Sequence, residues 1–136
     1  MAYIHVYMNN PTAGGTDGTQ VSENTGAAPI SVTLNATNNE ESAAIKLALR
    51  CDTGYQTNGD VTIALVGTTA AKWALAPDNA GSPGTFGAYG AYLTLTNPVI
   101  GATNKLFWAK AKATSDETPV NDTTVDLQVT ATIEAV

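Results

Sequence analysis

From Thr124 to Ala135 the chain alternates without a break. Val125, Leu127, Val129, Ala131 and Ile133 are apolar, and Asp126, Gln128, Thr130, Thr132 and Glu134 between them are polar. Successive side chains of a strand point to opposite faces, so this pattern predicts a strand with one face buried and one wet. The same period recurs along the chain. Ile4, Val6 and Met8 alternate with Tyr3, His5 and Tyr7 over Ala2 to Met8, and Ile30, Val32 and Leu34 alternate with polar residues over Ile30 to Ala36. Ile45, Leu47, Leu49 and Cys51 do so over Ala44 to Cys51, and Val61, Ile63 and Leu65 over Val61 to Gly67. Shorter runs cover Lys72 to Ala76 and Ala91 to Thr96, while Leu106 to Ala113 starts apolar on both faces. Ala, Leu, Lys and Arg within Ala43 to Arg50 also favour helix, but the regular alternation favours strand.

These are about eight strands, and the segments between them carry turn residues. Asn58 to Asp60, Gly81 to Gly84, Asn97 with Pro98, and Asn121 with Asp122 are predicted turns. Asn38 to Ala44 reads as one helical turn or as a lead into the next strand. Antiparallel strands with polar outer faces predict an all-β fold, a sandwich of two antiparallel sheets. At 136 residues the chain suits a single domain, 1–136. A domain of that size buries about two-thirds of its unfolded surface and needs no disulfide or metal to fold. Ala and Thr make up about a third of the residues, which suits close sheet packing and wet strand faces.

Charge narrows the function classes. The basic residues are Lys46, Arg50, Lys72, Lys105, Lys110 and Lys112, against 12 acidic ones, for a net charge of −6. That is not the electrostatic footprint of a nucleic-acid binder, and an anionic membrane surface would repel the chain. No stretch approaches the roughly 20 apolar residues of a membrane span. Cys51 is the only cysteine, so no intramolecular disulfide forms, and it reads as a small buried hydrophobe. The N-terminus lacks a basic region followed by an apolar run, so synthesis in the cytoplasm is expected.

Few residues point to chemistry. Asn10 to Ser22 is rich in Gly, yet it has no Lys or Arg and no helical pattern follows. A phosphate-binding loop needs both, so this stretch reads as a connection between strands, with a tight turn at Thr16 to Gly18. His5 is the only histidine, which leaves no zinc ligand set and no visible Ser-His-Asp arrangement. Asp52, Asn58 and Asp60 are oxygen ligands of the kind calcium takes, without the spacing of a known loop. Glu40 with Glu41, and Asp116 with Glu117, read as solvated turns rather than a hydrolytic carboxylate pair. The expectation is a non-enzyme with no cofactor and no metal. The aromatic residues remain. Phe107 and Trp108 must face opposite sides of a sheet, one into the core. Tyr3, His5, Tyr7, Phe86, Tyr89, Tyr92 and Trp108 form the candidate contact surface.

The opening "AYIHVYMNNPTAGGTDGTQVS" and the closing "KLFWAKAKATSDETPVNDTTVDLQVTATIEAV" resemble small structural proteins of tailed bacteriophages and prophages. The likeness lies in an immediate N-terminal strand, Gly/Thr/Asn-rich loops and a terminal strand pair joined by a polar connection. It implies an immunoglobulin-like sandwich found in the virion as a head-decoration or tail-associated component. The partners it implies are capsid or tail proteins and further copies of the chain, met through one face or by strand addition at a terminal strand. A carbohydrate- or cell-surface-binding module is the second reading. Its glycan would stack on exposed aromatics of Thr85 to Tyr92 (TFGAYGAY).

Overall fold

The computed structural model describes residues 3–21, 30, 34, 40–113 and 125–136. Its strands are β1 (Ile4–Met8), β2 (Thr19–Gln20), β3 (Ile45–Cys51), β4 (Tyr55–Val66), β5 (Trp73–Asn79), β6 (Ser82–Pro83), β7 (Leu93–Leu95), β8 (Lys105–Ala111) and β9 (Asp126–Ala135). A 3-10 turn, Ala70–Lys72, leads into β5. The strands form two antiparallel sheets, ordered β2-β1-β3-β8-β5-β6 and β7-β4-β9. The fold is therefore the all-β two-sheet sandwich that the alternation predicts. The expected strand Ile30 to Ala36, except Ile30 and Leu34, lies outside the described residues, as do the turn at Asn121 and Asp122 and the pair Asp116 and Glu117.

The inner faces meet in one core. Leu47, Leu49, Leu75, Phe107 and Ala109 from the larger sheet pack with Val61, Ile63, Leu65 and Leu95 from the smaller, and Ile100 closes one end. Phe107 is fully buried while Trp108 turns to the other face, as adjacent strand positions require. Two polar residues are buried among those described, Asn104 and, at 1% exposure, Thr57. The Thr57 hydroxyl donates to the Pro98 carbonyl at 2.8 Å and accepts from the Ile100 amide at 2.9 Å, so it is satisfied where an unpaired hydroxyl would be costly.

One predicted turn is something else, and another sits earlier than expected. Asn58 to Asp60 lies inside the twelve-residue β4. The register against β9 shifts between Asn58 and Thr62, with Gly59 at φ +88°. This is a β-bulge: Gly59, Asp60 and Val61 stand against Ala131 alone, two more residues than regular pairing allows, and the left-handed backbone at Gly59 absorbs them while the partner strand runs on. Around Gly81, the turn residues are Ala80 and Gly81 at φ +51° and +91°, and Ser82 and Pro83 already pair with Asn79 and Asp78 as β6. Two residues of positive φ make the tight hairpin whose twist suits the strands.

Candidate functional site

The pairing register places chemistry on the outer face of the six-stranded sheet. His5 lies beside Arg50, Tyr7 beside Ala48 and Ala48 beside Leu106, Lys46 beside Trp108 and Trp108 beside Ala76. Arg50, Lys46, Lys110 and Lys112 thus sit on one side of a chain of net charge −6. This face is not simply wet. Tyr7, Ala48 and Leu106 form a second small core on it, and Ala74 and Ala76 are fully buried. That explains why β8 starts apolar on both faces.

Part of the cover is the Gly-rich loop between β1 and β2. Asn104, just before β8, accepts from the Gly14 amide at 2.9 Å through Oδ1 and donates to the Thr12 carbonyl at 3.0 Å through Nδ2. Its own amide donates to the Gly15 carbonyl at 3.0 Å. Asp17 accepts from the Thr12 amide and hydroxyl at 2.9 and 2.8 Å, and these bonds, the backbone one first, hold its carboxyl below the usual range. Pro11 is fully buried. Gly18, at φ +102°, passes so close that a Cβ there would sit 2.9 Å from the Met8 carbonyl oxygen. The loop spends its polar groups on itself and on Asn104, and its fold is that of a clamp over the small core.

The other part of the cover is Gly84 to Gly90. Amides of Gly84, Gly87 and Gly90 donate to the Pro77, Leu75 and Trp73 carbonyls at 2.8, 3.0 and 2.8 Å. The glycine at every third residue lets this irregular segment lie against the edge of β5. It brings Phe86 to 4.7 Å from the Lys110 ammonium, and Tyr89 to 4.3 Å from that of Lys112. The Tyr89 hydroxyl donates to Glu41, whose carboxylate also lies 3.9 Å from Lys110. Burial first, then the bond to Glu41, pushes the Tyr89 phenol up to about 12. The same bond, then the Lys110 charge, holds Glu41 below its ordinary value.

The seven candidate contact residues divide. Tyr7 is buried, at 8% exposure, with the Arg50 guanidinium 4.0 Å over its ring; its outward face is covered, so it is not on the surface. His5 is half-buried and held, with Nε2 3.1 Å from Asp52 Oδ1 and Nδ1 3.3 Å from Gln20 Nε2. Trp108 is half-buried and donates from Nε1 to Asp78 Oδ1 at 2.9 Å. Phe86 and Tyr89 face the lysines. Tyr3 stacks on Tyr55 at 4.3 Å between centroids, at the end where β4 begins. Tyr92 alone is well exposed, at 69%. Trp108, Phe86 and Tyr89 share one sheet face; Tyr3 and Tyr92 belong elsewhere.

The weighed metal and catalytic groups are each engaged apart from one another. Asp52 meets His5, Asn58 donates to Glu134 at 3.2 Å, and Asp60 accepts from the Asn97 amide at 2.7 Å. Among the described residues no three His, Cys, Asp or Glu side chains converge. Cys51 is buried, and burial, then the Asp52 charge, raises its thiol. Alternation overlooked Asn104, Asn9 and Asn10, all polar residues outside the strands. The signal for the covering segment was the Gly84, Gly87, Gly90 spacing. In comparisons with known proteins, no family model, no curated protein and no solved structure matches this chain.

Proposed function

We propose that the chain is a non-enzymatic structural protein of a tailed-phage particle, a capsid-decoration or tail-associated component that works by docking. The observation that carries it is β9. Among the described residues this ten-residue strand is bonded on one side only, to β4, and so ends the smaller sheet. Its inward row, Leu127, Val129, Ala131 and Ile133, is half-buried rather than buried. A long edge with an incompletely covered apolar row is what a partner strand adds to. The N-terminal strand does not offer this, since β1 has β2 on one side and β3 on the other.

Two measurements test the proposal. Particles of the phage that encodes the chain, purified on a density gradient, should contain it in fixed ratio to the capsid or tail protein; a chain left wholly in the soluble lysate overturns the reading. Thr130→Lys places a charge on the exposed row of β9, beside the bulge, which blunts an edge without entering the core. With Tm close to the parent's, this variant should be lost from particles. Retention at the parental ratio overturns β9 as the docking edge.

A further inference from the structure

A cleft that docking through β9 does not use opens where β1 ends and β3 starts, lined both by core-row residues Met8, Ile30 and Ile45 and by outer-row Lys46 and Trp108. Where β1 ends, Asn9 and Asn10 adopt left-handed backbone at φ +65° and +61° and turn the chain away from the start of β3. The space left, about 520 Å³, is lined among others by Met8, Asn9, Asn10, Ile45, Lys46 and Trp108. That lies within the range of about 300–1,000 Å³ usual for small-ligand pockets. Asn is among the residues that tolerate left-handed backbone best, and both asparagines line the cleft.

The lining is mixed in a particular way. Trp108 supplies an indole whose orientation is set by its 2.9 Å bond to Asp78. Asn9 spends its Nδ2 on the Thr19 hydroxyl at 2.9 Å, which leaves the Oδ1 acceptor for a hydroxyl donor. Asn10 adds a second amide. Lys46 adds an ammonium that makes no ion pair among the described residues, although the Asp17 carboxylate lies near enough to feel its charge. Arg50 lies over Tyr7, and Lys110 and Lys112 face Phe86, Tyr89 and Glu41, so Lys46 is the cation that the cleft itself presents among the described residues.

We infer that the cleft binds one unit of an acidic polysaccharide. The ring lies against the Trp108 indole, its hydroxyls meet the Asn9 and Asn10 amides, and its carboxylate meets Lys46. An aromatic platform with amides suits the apolar face and hydroxyl rim of a pyranose, and the lysine selects a uronate over a neutral sugar. This site is separate from Thr85 to Tyr92, where Phe86 and Tyr89 are occupied by Lys110 and Lys112. It does not depend on whether the chain is built into a particle.

The test is a titration of the whole chain with trigalacturonate, galactotriose and polyglutamate. Tryptophan fluorescence in a Trp73→Phe background lets Trp108 report alone, and saturation-transfer NMR of the sugar checks it. Trigalacturonate should bind saturably and more tightly than galactotriose. Lys46→Gln should weaken trigalacturonate about tenfold, or about 1.4 kcal/mol, and leave galactotriose unchanged. Asn10→Gly adopts φ +61° without strain, so it should keep or raise Tm while weakening both sugars. No saturable binding of trigalacturonate overturns the inference, as do parental affinities in both variants. Polyglutamate that competes as well as the uronate would replace a sugar site with a general anion site.

Discussion

Asn104 is a single side chain that ties a loop to the start of a strand on the far side of β3. It satisfies Gly14 and Thr12 together, and at 8% exposure its loss leaves those groups poorly hydrated. Asn104→Ala should cost about 1–3 kcal/mol, read by urea unfolding, and should expose Thr12 to Gly18 to proteolysis in the native state. Tyr89 makes a spectroscopic prediction. Its phenol is raised to about 12, above the unfolded value of about 10, so the folded chain holds that proton more tightly. The stability this confers is fully present below pH 10 and is lost as pH rises from there to about 12. Phenolate absorbance should show a late titration step near pH 12, and Tyr89→Phe should remove it. Glu41 has the opposite sign. Its depressed carboxyl favours the fold above the ordinary carboxylate range, and that contribution fades as pH falls through the lowered value.

At the scale of elements, two glycines separate backbone conformation from crowding. Gly59 and Gly90 share φ +88°. A Cβ at Gly59, in the β4 bulge, would meet nothing within 4 Å, whereas one at Gly90 would lie 3.2 Å from the Ala71 Cα. Gly59→Ala should therefore cost only the left-handed strain, about 1 kcal/mol. Gly90→Ala should cost more, because the segment it belongs to must lift from the Trp73 carbonyl. Thermal denaturation of the pair decides this; equal losses would mean that the covering segment yields freely. The bulge also shows why Asn58 to Asp60 looks like a turn in the sequence. Both features need a residue of positive φ flanked by polar ones, and only the continuation of β9 past it distinguishes them.

For the molecule as a whole, the N-terminal strand is structural. β1 contributes Ile4, Val6 and Met8 to the main core and Tyr7 to the small one, and lies between two strands. Removing residues 1–8 should abolish cooperative unfolding and the folded β-strand circular dichroism, not merely an outside contact. A truncated chain that still melts cooperatively near the parental Tm would show that β1 is dispensable. The two cores lie on opposite faces of one sheet, so the outer face holds covering segments and cations where a simple sandwich would carry solvated residues.

Period-two alternation determined the strands, their inward rows and hence the sandwich, because a strand's side-chain period is local and needs no partner to be read. It also separated Phe107 from Trp108. It did not reveal that Tyr7, Ala48 and Leu106 share a second core, because their burial depends on strand order and on the loop tied down by Asn104. Nor did it bring Asn9, Asn10, Lys46 and Trp108 together. Those residues come from three distant stretches, and only strand order and register make them neighbours. Local periodicity specifies which residues face inward, while the order of strands decides which outward residues meet, and that second choice is made by packing energies summed over the whole chain.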